Sequence, residues 1–158
     1  MSPNDFRVRP TAELVRAAML DRLADVLKGA RVLDLFAGTG ALGLEALSRG
    51  AASADFVETR GSSLHALKAN IALLRMRERT RVFKKDALRF AAALREASYD
   101  IAFVDPPYES RMLDRVIEAW QVTRFARVLA VEHATTHALA QGVPLKRFGD
   151  TSVSFYGM

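Results

Sequence analysis

Apolar runs of strand length alternate with segments of helical periodicity along the whole chain. Leu14, Val15, Ala18, Met19, Leu23, Val26 and Leu27 recur at helical spacing behind Pro10, and Gly29 follows, so a helix is expected over 11–28. Strands are expected over 31–36, 53–58, 80–84, 99–104 and 127–132, where apolar residues run almost without interruption. Helices are expected between them over 41–49, 62–75, 87–96 and 112–122, with a short one over 136–140. The tail, 145–148 and 152–156 split by Gly149-Asp150, reads as a hairpin. Strands joined by helices require right-handed crossovers into a parallel sheet. The expected fold is therefore α/β and Rossmann-like: a mostly parallel seven-stranded sheet, helices on both faces, and a C-terminal antiparallel hairpin.

Half of the 158 residues are hydrophobic, enough for one compact core, so residues 1–158 read as a single domain with 1–28 as an N-terminal segment and helix. No stretch approaches the roughly 20 apolar residues that span a bilayer, and the opening residues lack a signal-peptide core. The expectation is a cytoplasmic monomer with no membrane partner. Cysteine is absent, which excludes a disulfide, a thiolate nucleophile and a Cys-ligated zinc or iron–sulfur centre. His133 and His137 stand four apart and would share a helix face, but no further ligand accompanies them, and no metal is expected.

Lys and Arg total 23 against 18 Asp and Glu. The excess is concentrated at Arg75, Arg77, Arg79, Arg81, Lys84 and Lys85, opposed only by Glu78. Such a run is either a site for a polyanion or a solvated helix end and strand face, and the two readings stand level.

Ligands of parallel sheets bind beyond the carboxyl ends of the strands. After the first strand comes Asp34-Leu35-Phe36-Ala37-Gly38-Thr39-Gly40, and with Gly43 the loop satisfies G-x-G-x-x-G between strand and helix. That loop suits a dinucleotide or the amino-acid and ribose portions of S-adenosylmethionine. Asp34, in an apolar strand, needs a cationic or hydrogen-bonding partner, which the ammonium of a methionine moiety would supply. Glu58, 18 residues beyond Gly40, is placed to accept from ribose hydroxyls. Asp86 either accepts from an adenine amine or caps the helix that starts at Ala87.

The fourth strand ends at Asp105-Pro106-Pro107-Tyr108. An exocyclic base amine is a poor nucleophile because its lone pair is delocalised into the ring. Two acceptors, the Asp105 carboxylate and the Pro106 carbonyl, would localise that pair by taking both N–H groups. The prolines stiffen the loop, and the Tyr108 ring would stack on an extruded base.

With these motifs the chain resembles a class I S-adenosylmethionine-dependent methyltransferase of the amino-methylating kind. More narrowly it resembles the bacterial RsmD family, which methylates the N2 amine of one guanine in small-subunit (16S) ribosomal RNA. The likeness runs from Arg9-Pro10-Thr11 with Val15-Arg16, through Val32 to Gly40 and Gly43 to Ala51, to Asp105-Pro106-Pro107-Tyr108 and Phe148-Gly149-Asp150-Thr151. Leu14, Ala17 and Asp21 stand where the family usually has arginine, glutamate and asparagine. The resemblance implies S-adenosylmethionine as cofactor, held by Asp34, Phe36, Ala37, Gly38, Thr39, Gly40, Glu58, Asp86 and Ala87. It implies catalysis by Asp105, Pro106, Pro107 and Tyr108, and ribosomal RNA or the small subunit as partner.

The missing cysteine also bears on the acceptor, since methylation at carbon 5 of a pyrimidine normally needs a thiolate. A nitrogen acceptor is expected. Transfer to DNA adenine, a small molecule or a protein keeps the same cofactor and is the nearest alternative. A nicotinamide-dependent oxidoreductase leaves Asp105 to Tyr108 unexplained, and a non-catalytic nucleotide-binding module leaves the acceptor loop without a task.

Overall fold

The computed structural model describes residues 3–106, 111–139 and 143–158, with 3–11 and 143–146 described by backbone alone. The N-terminal helices are α1 (Pro3–Arg22) and α2 (Ala24–Leu27). The alternation follows as β1 (Arg31–Asp34), α3 (Ala41–Ser48), β2 (Ser53–Val57), α4 (Gly61–Leu73), β3 (Thr80–Phe83) and α5 (Ala87–Ala92). Then come β4 (Tyr99–Val104), α6 (Met112–Thr123), β5 (Ala126–Ala134), β6 (Val143–Phe148) and β7 (Thr151–Tyr156).

The seven strands form one sheet in the order β3-β2-β1-β4-β5-β7-β6. The pairings among β1 to β5 are parallel, and β7 is antiparallel to both β5 and β6. Strand order reverses at β1, which lies between β2 and β4, so the crevice for a ligand opens at the carboxyl ends of β1 and β4.

The strands read as continuous apolar runs because both faces of the sheet are covered. Alternate residues serve opposite sides: Val32, Phe56, Ile101 and Phe103 pack with Met19, Leu20 and Leu27 of the N-terminal helices, Leu44 and Leu47 of α3, and Leu67 and Ile71 of α4. On the other side, Leu33, Val57, Ala102 and Val104 pack with Ala87 and Ala91 of α5 and Leu113, Val116 and Trp120 of α6. Burying a side chain such as Leu20 or Phe103 contributes about 2 kcal/mol each, so the helical faces are held mainly by the sheet.

Several expectations are corrected. The first helix begins at Pro3, upstream of Pro10, and breaks at Leu23, whose N–H is shared between Met19 and Leu20 carbonyls at 3.3 and 3.2 Å. A proline removes one helical hydrogen bond and does not by itself stop a helix. Leu14 and Val26, expected on the apolar face, are 62% and 44% exposed.

No helix forms over 136–139, and Ala140 lies outside the described residues. There Thr135 N–H donates to Asp150 O at 2.7 Å and Thr135 Oγ1 to Gly149 O at 3.0 Å, tying the segment to the β6–β7 turn. The antiparallel ladder with β7 extends β5 to Ala134. His133 and His137 therefore share no helix face. His133 Nε2 pairs with Ser154 Oγ at 2.9 Å, and His137 Nε2 pairs with Asp114 at 2.8 Å.

Candidate active site

The carboxyl ends of β1 to β4, together with Glu132 of β5, border one cavity of about 550 Å³, a size suited to a cofactor or other small molecule. Its wall includes Asp34, Phe36, Ala37, Gly38 and Thr39 after β1, Glu58 after β2, Asp86 and Ala87 after β3, and Asp105 and Pro106 after β4. Of the residues picked out from the sequence, Gly40 is not on the wall, and Pro107 and Tyr108 lie outside the described residues. Ala12, Val15, Arg16 and Met19 bring α1 against the same cavity.

The glycine loop is shaped by its own backbone and by two carboxylates. Gly38 and Gly40 have φ of +56° and +86°, a region that L side chains rarely adopt. They differ in surroundings: a Cβ on Gly38 would meet nothing within 4 Å, whereas one on Gly40 would run into Leu67. Gly43, inside α3, lies so close to β2 that a Cβ would meet the Phe56 ring at 2.5 Å. The loop thus needs Gly40 and Gly43 for packing and leaves open space beside Gly38. Gly40→Ala and Gly43→Ala are expected to lower unfolding stability by about 1–3 kcal/mol each, and Gly38→Ala by less, in urea titrations.

Asp34 is 3% exposed and sits under the loop. Burial raises its carboxyl from the ordinary 3.8 to about 7, opposed by the N–H groups of Gly43 and Phe36 and reinforced by Glu58. The fold therefore already supplies two hydrogen-bond donors, one from the first turn of α3, and among the described residues no cation pairs with the charge itself. Glu58 is 7% exposed. Desolvation works against its ionisation, but it is outweighed by backbone donors at Arg60, Gly38 and Thr59 and by the Arg60 charge, so its carboxyl is held low. Its Oε1 accepts from Gly38 at 2.9 Å and its Oε2 from Thr59 and Arg60 at 2.8 Å each, which clamps the glycine loop onto the end of β2. Asn70 of α4 adds a bond to Thr39 O at 3.0 Å, a support that sequence reasoning missed.

Asp86 caps α5: its carboxylate accepts from Arg89 N–H at 2.9 Å. It does so while bordering the cavity beside Lys85, whose ammonium lies 5.8 Å from the Phe83 ring centre. Asp105 follows β4. Desolvation, then a hydrogen bond to and repulsion from Glu132, then Asp34, hold its carboxyl well above the usual carboxylate range. The residue also keeps an exposed face on the cavity wall. Glu132 was missed from the sequence although it ends the strand expected over 127–132. The rule of asking what stands at each strand end would have found it.

The basic run divides by role. Arg79 donates to the carbonyls of Leu47, Ala51 and Ala52 at 3.2, 2.5 and 3.4 Å, closing the C-terminal end of α3. Arg81 makes a two-pronged bond to the buried Asp55 at 3.0 and 2.7 Å, and Tyr99 Oη donates to the same carboxylate at 2.5 Å. These two cations hold the fold together. Arg75, Arg77, Lys84 and Lys85 are exposed, and Lys85 alone of the run borders the cavity.

A parallel sheet reversing at β1, with a glycine loop and acidic strand ends around one cavity, is the architecture of a class I methyltransferase. The solved structure of the yhhF protein of Escherichia coli, named as a methyltransferase, superposes with a TM-score of 0.80 at 31% identity, covering 91% of this chain and 84% of that one. The family model described as conserved hypothetical protein 95 matches residues 1–156. The chain belongs to that family, the RsmD family of S-adenosylmethionine-dependent methyltransferases.

Among curated relatives, YlbH of Bacillus subtilis, named as an rRNA methyltransferase, is 35% identical over 79% of this chain and 71% of its own length. The ribosomal RNA small subunit methyltransferase D of Escherichia coli is 40% identical over 73% of this chain and 57% of its own length. The chain thus spans a little over half of that relative.

Proposed function

We propose that the chain, as one methyltransferase domain over residues 1–158, transfers a methyl group from S-adenosylmethionine to the exocyclic N2 amine of a guanine in 16S ribosomal RNA. The observation that carries this reading is the meeting of the glycine loop and the Asp105-Pro106 turn on one cavity wall. The names of the relatives support ribosomal RNA as the substrate class.

The site fits the cofactor. Open space beside Gly38 admits close approach, the buried Asp34 charge matches an ammonium, and Glu58 borders the cavity with an Oε1 that accepts from Gly38 alone, which leaves it capacity for a hydroxyl group. When bound, the cofactor supplies an electrophilic methyl group on a sulfonium. Asp105 and the Pro106 carbonyl accept the N–H groups of the target amine and turn its lone pair toward the methyl carbon, and Tyr108 stacks on the base. Arg16, Arg60 and Lys85 border the cavity and would meet the phosphates flanking an extruded nucleotide.

The proposed setting is the cytoplasm, as a monomer acting on RNA or the small subunit. Among the described residues no helix is long and apolar enough to cross a membrane.

Labelled S-adenosylmethionine incubated with undermethylated ribosomal RNA and with small subunits, followed by nucleoside mass spectrometry, tests the reading. N2-methylguanosine is the expected product. Methylated adenosine, or no transfer by protein that binds the cofactor, overturns it.

A further inference from the structure

We propose that Glu132 is a positioning residue of the methyl-acceptor site, holding the Asp105 carboxyl in place and forming with it a two-carboxyl pair that receives the proton released on methylation. The inference rests on the reading of the cavity as an amino-methylating site. Its geometric basis is the register of β4 and β5. Val104 stands beside Val131, so one residue further along the parallel strands Asp105 stands beside Glu132. Both border the same cavity, and their carboxyl groups are within hydrogen-bond reach. On its other side Glu132 is paired with Val153 of β7, which offers no competing polar group, while the adjacent His133 is taken up by Ser154.

Around this pair the cavity carries Asp34 from β1, Glu58 from the end of β2, Lys85 and Asp86 from the end of β3, and Arg16 from α1. Arg60 borders the cavity as well, so three cations face three carboxylates around the pair, and it is Asp34 on the neighbouring strand that adds to the proton affinity of Asp105. In the transfer, the amine lone pair forms the bond to the methyl carbon while the methyl–sulfur bond breaks, its electrons remaining on sulfur as a neutral thioether. The nitrogen is left with a positive charge and loses one N–H proton to the Asp105–Glu132 pair, which then holds one shared proton and returns it to water. From the sequence, Asp105 is expected only to accept an N–H of the amine, with no partner beside it. The structure gives it a partner whose negative charge makes it a better proton acceptor and whose hydrogen bond fixes its direction.

The test is Glu132→Gln, which keeps the shape of the side chain and removes its charge. Carboxyl-carbon NMR of the free protein should show Asp105 titrating well above the ordinary range in the unchanged protein and moving toward it in the variant. The acid limb of the kcat profile should shift to lower pH in the same direction. At neutral pH kcat should fall by about tenfold or more through lost positioning, with cofactor affinity nearly unchanged. An Asp105 titration that does not move overturns the proposal even where transfer to RNA is intact. Absence of any RNA methylation by the unchanged protein would instead overturn the functional reading, while the NMR titration still reports on the pair.

Discussion

Asp105→Ala is expected to abolish methyl transfer, with kcat falling by about 10³-fold or more, while S-adenosylmethionine affinity stays within roughly twofold. The asymmetry follows from position. Asp105 stands at the β4 end beside Glu132, whereas the glycine loop is held from the β2 end by Glu58 and from α4 by Asn70. Removing Asp105 also removes a like-charged neighbour of Glu132, so the fold should not lose stability. Asp105→Asn, which keeps one acceptor oxygen, should retain more turnover than alanine. Isothermal titration for the cofactor, single-turnover methylation and thermal unfolding separate the outcomes. Joint loss of affinity, turnover and unfolding midpoint would make Asp105 a structural residue.

The second large effect is expected at Asp34. Its carboxyl sits at about 7 in the fold against an ordinary 3.8, so between these values the folded protein holds a proton that the unfolded chain has lost. Stability is then fullest below pH 3.8, declines as pH rises through that window, and is flat above it. The rise corresponds to about 4 kcal/mol of destabilisation at pH 8 relative to a group left at its ordinary value.

Asp34→Asn removes this cost and keeps an oxygen for the Gly43 and Phe36 donors. The ligand-free variant should therefore be more stable than the unchanged protein at pH 8 and similar to it near pH 4. Cofactor affinity should move the other way, weakening by about 100-fold, because a buried ammonium loses its counter-charge. In the unchanged protein, binding an ammonium beside Asp34 should release a proton near pH 7, visible as a calorimetric heat that varies with the buffer. A variant that is less stable at pH 8, or that binds the cofactor as before, would sink this account.

What could be read along the chain depended on locality. β4 and its proline stop, the glycine loop, and the helix that follows β1 come from apolar runs and turn residues a few positions apart, and the structure places them within a residue or two. The helix expected over 136–140 fails because Thr135 bonds to Gly149 and Asp150, a contact between segments 14 residues apart with β6 between them. The break at Leu23 is equally invisible in periodicity, which treats α1 and α2 as one stripe. The basic run looked uniform, yet Arg79 is taken by the carbonyl end of α3 and Arg81 by Asp55, both distant in sequence.

The sequence alone determined that this is an α/β chain carrying a cofactor-type glycine loop and an Asp-Pro-Pro-Tyr motif to which the proposed function gives an amine, because these signals are short and their chemistry is local. The tertiary structure decided which charges meet. It brought Asp34, Glu58 and Asp105 onto one wall, set Glu132 against Asp105 through strand register, and gave Asp34 its donors from α3. Proton affinity depends on burial and on neighbours a few ångströms away, and only the packed sheet establishes either.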